Sequence, residues 1–211
     1  MEKFRRKKHL KGTFRVYDPK PSRLSALKNR ILRGDPHCEA ERDETLVLGF
    51  CDMVAAGMNN VANVGVPQAV GRNGVAVNVQ PAATCDPDQP LGLGGYGEYR
   101  NGITLGSGAP TPVAIASFAL DTPIIHGNGA GNLVYGNQTY TTPTTEGSSR
   151  VFILSRAFSN GSGLDVTVTN VGVFCYVAAM GNWVMIDKTN ITFVVPNGGN
   201  KTVTYTLTVT V

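Results

Sequence analysis

The chain has 211 residues, of which 42% are hydrophobic and 16% are charged. This length suits one domain, or one domain with an extension, and a body of about 150 residues buries enough surface to need neither a metal nor a disulfide. The charged first residues are not followed by the apolar region of a secretory signal, and no stretch approaches the roughly 18 apolar residues of a membrane span. We therefore expect a protein that is made in a cytosol and has no membrane partner.

Positive charge is concentrated at the N-terminus. Residues 1–34 contain 12 Lys and Arg against two acids, a net charge of +10, whereas the rest of the chain contains seven against 13, a net charge of −6. A basic segment of this density indicates an acidic partner, which could be nucleic acid, an acidic protein surface or anionic lipid. We predict a basic N-terminal arm over residues 1–42, and we expect residues 1–40 to dock outside their own body on a neighbouring subunit or another protein.

Within this arm, Pro21 and Ser22 predict the start of a short helix, and Gly34 with the following Asp-Pro predicts its end. Apolar residues at helical spacing form one stripe along this helix, backed by basic residues. The residues that we predict to bind a partner are the basic side chains of the arm and this stripe: Lys3, Arg5, Arg6, Lys7, Lys8, Lys11, Arg15, Leu24, Leu27 and Ile31.

The predicted body spans residues 43–211. Asp43 can cap a leading helix over residues 44–58, in which Leu46, Phe50 and Met53 recur at helical spacing. Residues 75–79 alternate in the manner of a strand, and residues 81–112 are rich in Gly and Pro and predict a long loop.

From about residue 123 the pattern is that of strands throughout. The predicted strands are 132–141, 149–158, 164–175, 182–187, 190–195 and 201–211. In the last, Val203, Tyr205 and Leu207 alternate with threonines, which predicts an interior strand with one buried face. The sequence therefore predicts a mainly β protein, an antiparallel β-sandwich with an N-terminal basic arm and one or two short helices.

Motifs that carry chemistry lack their structural context. Residues 92–97 match G-x-G-x-x-G, but prolines precede them and no helix pattern follows, so a surface loop is expected. Asp86 and Asp88 could bind a hard cation, but no further acid stands at loop spacing. The three histidines are not accompanied by a nucleophile motif, and the four cysteines match no zinc pattern and are expected to be free thiols. We expect no enzymatic activity, no catalytic residue, no metal and no cofactor.

Residues about 103–211 resemble a β-rich domain of tailed-bacteriophage virion proteins. The matching runs include Ile103–Pro112, Phe118–Pro123, Ser148–Asn160 and Thr167–Phe174, where Asn170 replaces the usual acid. The closing run Val195–Leu207 is similar to the family's last strand. The family carries no catalytic residues that could be transferred to this chain.

The resemblance implies a structural subunit of a tailed-phage virion, in the head, neck or tail. Its expected partners are other copies of itself, as a homo-oligomer, and other virion proteins, with nucleic acid as a further partner of the arm. One alternative is a sandwich module that binds host glycans, for which exposed Trp or Tyr would be needed. Another alternative is a virion protein that contacts nucleic acid through its basic arm.

Overall fold

The computed structural model describes residues 9–21, 23–33, 35, 37–44, 68–70, 76–78, 95–113, 117–141, 144–147, 149–177 and 182–210. Within these residues lie one helix and 13 strands: β1 (His9–Tyr17), α1 (Arg23–Arg33), β2 (Cys38–Glu44), β3 (Gln68–Val70), β4 (Ala76–Asn78), β5 (Gly102–Gly106), β6 (Val134–Tyr140), β7 (Thr144–Glu146), β8 (Ser149–Ser159), β9 (Val166–Val168), β10 (Asn170–Val177), β11 (Asn182–Thr189), β12 (Phe193–Val195) and β13 (Asn200–Thr210). The strands of every sheet pair antiparallel, so the predicted fold class is confirmed.

The largest sheet has six strands. Its order is β2-β1-β13-β8-β6, and β7 pairs with β8 beyond the end of β6. A second sheet has the order β11-β10-β5, and two further pairs are formed by β9 with β12 and by β3 with β4. The chain therefore builds its largest sheet by bringing its first and last strands together.

One hydrophobic core joins these sheets because alternate residues of each strand point to the same side. Phe14 and Phe158 of the six-stranded sheet belong to the same buried cluster as Ile103, Val171 and Val184 of the three-stranded sheet. Burying a side chain of this size stabilises the fold by roughly 1.5–3 kcal/mol before the entropy cost of ordering the chain.

The closing strand β13 is an interior strand, as predicted, since it pairs with β1 on one side and β8 on the other. Val203 and Tyr205 are 0% and 2% exposed. Leu207 is only partly buried against the core, and Val209 is 39% exposed. The predicted buried face is therefore confirmed for the first half of the strand and fades toward its end.

Three element predictions need correction. The predicted strand 164–175 is divided at Thr169, because β9 pairs with β12 whereas β10 pairs with β5 and β11. The predicted loop 81–112 contains β5, whose Ile103 and Leu105 are fully buried. Asp43 does not cap a helix, because it lies in β2 opposite Thr13, and the rest of the predicted leading helix lies outside the described residues.

The expectation of a separate arm over residues 1–42 is wrong for the part that the structure describes. His9–Tyr17 forms β1, which lies between β13 and β2, and Phe14 and Val16 are fully buried in the core. Apolar side chains on alternate residues give this segment a buried face. Lys11 and Arg15 lie between them, and their charges made the alternation hard to recognise in the sequence. Residues 9–17 therefore dock on their own body, and the helix that follows them is α1, close to its predicted bounds.

Candidate functional site

The basic cluster of residues 3–8 and the helix α1 are attached to opposite ends of β1. In the β1–β13 register, His9 lies opposite Thr210 and Tyr17 lies opposite Thr202. Residues 1–8, called the basic tail below, thus precede β1 at the end where β13 finishes, whereas α1 follows β1 at the end where β13 begins. Nine residues of strand span about 30 Å. The tail and the helix, which were predicted as one docking element, are therefore two separate features.

The predicted binding residues divide accordingly. Lys3, Arg5, Arg6, Lys7 and Lys8 lie in the basic tail, outside the described residues. Lys11 and Arg15 lie in β1, where Arg15 is exposed and faces away from the core. Leu24, Leu27 and Ile31 lie in α1, and their side chains are outside what the structure describes.

A buried lysine fixes the N-terminal strands to the closing strand. Lys201 is 5% exposed, and its Nζ lies 2.8 Å from Oδ2 of Asp18 and 2.8 Å from Oε2 of Glu39. Burial opposes the charge on Lys201, but the two carboxylates outweigh it and raise the pKa of the ammonium. Burial also opposes ionisation of Asp18, but hydrogen bonds from Lys201 and from the Lys20 backbone lower its pKa. One ammonium therefore ties the end of β1, the start of β2 and the start of β13 together.

The surface beside this ion cluster is basic. Lys28 and Arg30 of α1 are exposed, and the Arg33 guanidinium donates a hydrogen bond to the Asn29 side chain. A cleft of about 220 Å³ is lined by residues that include Asp18, Lys28, Arg33 and Glu39. Its lining mixes both signs of charge, so it does not by itself select a ligand.

A second buried cation, Arg156 of β8, orders the segment that follows the glycine-rich motif. It is 1% exposed and donates to four backbone carbonyls, those of Gly95 (2.7 Å), Gly136 (2.9 Å), Asn101 (3.0 Å) and Ile103 (3.1 Å). Burial lowers the pKa of Arg156 to about 10, which leaves it charged at neutral pH. Gly95 is thus fixed by a cation of the protein itself, and the described part of the glycine-rich run, residues 95–97, contains no helix or strand, as expected for a loop.

Sequence reasoning missed the buried cations Lys201 and Arg156, although the sequence contains a signal for them. Lys201 is in phase with Val203 of β13, and Arg156 is in phase with Leu154 and Phe158 of β8. A cation on the apolar face of a strand requires buried acceptors.

An aromatic cluster surrounds Trp183, the single tryptophan. The Arg100 guanidinium lies over the Trp183 ring at 4.3 Å from its centroid, and the Tyr176 ring centroid is 5.1 Å away. Glu98 accepts hydrogen bonds from both Nε and NH2 of Arg100, each at 3.0 Å. The Trp183 ring therefore already packs against two protein groups, the Arg100 guanidinium and the tilted Tyr176 ring.

Tyr96 is the most exposed aromatic residue of the described chain at 68%, and its ring meets the His126 ring edge-on. The His126 Nδ1 accepts a hydrogen bond from the Tyr135 backbone N–H at 3.2 Å. Since one His126 nitrogen is engaged by the backbone and its ring packs on Tyr96, His126 acts as a structural residue of its turn.

The acids of the β region also have structural partners. Lys188 Nζ lies 2.8 Å from Oδ2 of Asp121, and both groups are largely buried. Burial opposes ionisation of Asp121, but hydrogen bonds from Lys188 and Thr111 outweigh it and lower its pKa. Asp187 accepts a hydrogen bond from the Tyr205 hydroxyl at 2.9 Å; burial and the neighbouring Asp187 raise the pKa of Tyr205, which keeps that hydroxyl protonated as a donor.

Metal-ligating side chains do not converge among the described residues, where no group of three or more His, Cys, Asp and Glu could hold a metal ion. Cys38 and Cys175 are buried free thiols, as predicted; Cys51, Cys85, Asp86 and Asp88 lie outside the described residues. His37 is held by Asp18 and Asp35 through its ring and backbone nitrogens.

No protein-family model, curated protein or solved structure matches this chain. Among the described residues, the single helix is too short and too polar to cross a membrane.

Proposed function

We propose that this chain is a structural subunit of a tailed-phage virion, assembling with copies of itself and with other virion proteins through its basic tail and its sandwich surfaces. The sequence resemblance of residues 103–211 provides the class of protein. The high positive charge of residues 1–8 supports a role of the basic tail in assembly.

The observation that carries this proposal is the position of β1. Both edges of β1 are already paired, one with β13 and the other with β2. The tail therefore begins at a strand that offers no free edge beside it. Five of its eight residues are basic, whereas the chain beyond residue 34 has a net charge of −6. A segment of this charge suits contacts with an acidic partner away from β1.

The body suits a structural role for a separate reason. Its first and last described strands are neighbours in one sheet, and Lys201 joins them at one end, where its ammonium meets Asp18 and Glu39. This ion cluster helps to hold β1 against β13.

The proposal is tested in virions of the phage that encodes the chain. The gradient-purified particles should contain the protein. A variant with Lys3, Arg5, Arg6, Lys7 and Lys8 all changed to Glu should fold, as judged by circular dichroism, but should be missing from the particles. The matched control, in which the three tail lysines become Arg, keeps the charge and should be incorporated normally.

Two results would contradict the proposal. One is the absence of the wild-type chain from purified particles although infected cells contain it. The other is normal incorporation of the charge-reversed tail. Incorporation that depends on packaged genome, measured by comparing full particles with empty ones, would favour nucleic acid as the partner of the tail.

A further inference from the structure

We propose that Nζ of Lys201 forms an isopeptide bond with the side-chain carboxyl of Asp18, and that Glu39 carries the protons of this condensation. The three side chains already meet. Lys201 Nζ donates a hydrogen bond of 2.8 Å to Oδ2 of Asp18 and lies 2.8 Å from Oε2 of Glu39. The amide joins the end of β1 to β13 covalently, across 183 positions of sequence.

The register of two paired strands brings the reacting groups together. β1 ends with Tyr17 opposite Thr202 of β13. One residue further along this ladder, Asp18 stands beside Lys201, whose side chain is buried on the same side of β13 as Val203. The backbone pairing therefore holds the nitrogen and the carboxyl next to each other.

Glu39 reaches the same ammonium because β2 is irregular at this point. The β1–β2 register shifts between Val16 and Tyr17, which leaves Glu39 as an extra residue between the β2 residues that pair with them. A bulge of this kind turns a side chain out of the regular alternation, and bulges are common beside reactive sites. The bulge gives Lys201 its second carboxylate.

The step is a condensation that balances without an oxidant or a cofactor. The lone pair of the Lys201 nitrogen attacks Cγ of Asp18, the N–C bond forms, and the bond from Cγ to Oδ2 breaks. Of the three ammonium protons, one stays on the amide nitrogen and two leave with Oδ2 as water. Glu39 accepts a proton from the nitrogen and passes it to Oδ2. The Lys20 backbone N–H donates a hydrogen bond of 2.8 Å to Oδ1 of Asp18, the oxygen on which negative charge develops.

The reacting form is reached without exchange of protons with solvent. An ammonium and a carboxylate together hold as many protons as an amine and a carboxylic acid, so one proton that crosses the 2.8 Å contact converts the ion pair into the neutral pair. Burial is the largest influence on the pKa of both Lys201 and Asp18 and favours their neutral forms, although their hydrogen-bonded partners outweigh it. The ion pair is therefore the resting state, and the reaction draws on a minor neutral form.

Proximity favours the amide over the separate groups. Well-oriented groups react as if they were present at roughly 10⁵–10⁸ M, which offsets the competition from water that opposes amide formation between dilute groups. The Lys201 side chain is only 5% exposed, which limits the access of bulk water to the new bond. Once formed, the amide is therefore expected to persist.

Lys188 provides a comparison within the same chain. Its Nζ lies 2.8 Å from Oδ2 of Asp121 and 3.3 Å from the Thr111 hydroxyl. A hydroxyl is a far weaker base than a carboxylate, so Thr111 is unsuited to carry a proton from the amine to the leaving oxygen. We therefore expect Lys188 and Asp121 to remain an ion pair while Lys201 and Asp18 react.

The test is the intact mass of the purified full-length chain, measured in denaturant by electrospray mass spectrometry. The wild-type chain should be lighter than its sequence mass by one water molecule. A tryptic digest should contain a branched peptide, in which tandem mass spectrometry places the amide between Lys201 and Asp18. Lys201→Arg, which keeps the charge, and Asp18→Ala should each have the full sequence mass. Lys188→Arg is the matched control and should lose one water as the wild-type chain does.

The role of Glu39 has its own readout. Glu39→Gln keeps the shape of the side chain but cannot accept the proton, so freshly purified protein should contain mostly unreacted chains. The unreacted chains should lose water roughly 10²–10⁴-fold more slowly than wild type. A Glu39→Gln chain that reacts as fast as wild type would overturn the proton transfer through Glu39.

Three other results overturn the bond. One is a folded wild-type chain that keeps its full sequence mass after several days. Another is a loss of water that persists in Lys201→Arg, since it then arises elsewhere in the chain. The third is a branched peptide that runs through Glu39 instead of Asp18. The wild-type mass needs no variant, so a variant that fails to fold does not decide the test. The bond forms in the isolated chain, and its absence would leave the proposed function untouched.

Discussion

Replacing Arg156 tests a buried polar contact that serves four backbone carbonyls. Arg156→Met keeps much of the side-chain volume but removes the donors that serve the carbonyls of Gly95, Asn101, Ile103 and Gly136. Each buried acceptor left without a partner costs about 1–3 kcal/mol, while removing a buried charge returns part of that cost. We expect a net loss of about 3–5 kcal/mol, a large fraction of the roughly 5–15 kcal/mol that stabilises a typical domain.

The assay is urea unfolding followed by the fluorescence of Trp183, the single tryptophan. Arg100 stacks on this ring and lies in the same segment as Gly95, so loosening of that segment should also change the emission of the folded state. Arg150→Met is the matched control, because Arg150 is an exposed arginine of the same strand; it should shift stability by no more than about 0.5 kcal/mol. Equal midpoints for the Arg156 and Arg150 variants would refute the reasoning.

Two further predictions concern the closing strand and an ion pair. Leu207→Ala should cost about 1–2 kcal/mol in urea unfolding, less than the roughly 2–5 kcal/mol of a fully buried leucine, because Leu207 only borders the core; a loss above that range would mean that the end of β13 is covered. The pKa of Asp121 is lowered from its ordinary value of 3.8, so its ionised carboxylate stabilises the fold above pH 3.8. This stabilisation is lost as the pH falls through the pKa of Asp121 in the folded protein. Asp121→Asn should therefore lose stability at neutral pH and show a shallower decline in acid than wild type, and parallel pH profiles would contradict the ion pair with Lys188.

The sequence predicted most of the strands from alternation alone. β6, β8, β11 and β13 lie where their patterns predict them, and α1 has nearly its predicted bounds. The prediction failed where neighbouring segments share one pattern but belong to different sheets, as at Thr169. It also failed where charged residues interrupt a short apolar alternation, as in β1, and where a strand lies in a run rich in Gly and Pro, as β5 does.

The candidate site was predicted only in part. The basic tail and the acidic balance of the body can be read from composition, and they remain the basis of the proposed function. The sequence does not reveal that the tail is joined to a strand with two paired edges, because this depends on which strands become neighbours in the fold.

The sequence by itself determined the fold class, since side-chain alternation decides locally whether a segment can bury one face as a strand. Only the tertiary structure decided what covers that face. Lys201 binds Asp18 across 183 positions of sequence, and Arg156 reaches Gly95 across 61. A cation on an apolar face indicates that acceptors must exist. The backbone pairing of β1 with β13 and the return of residues 95–103 to β8 bring those acceptors within 3.1 Å. Long-range pairing is decided by the summed burial of the whole chain, and no local pattern contains that information.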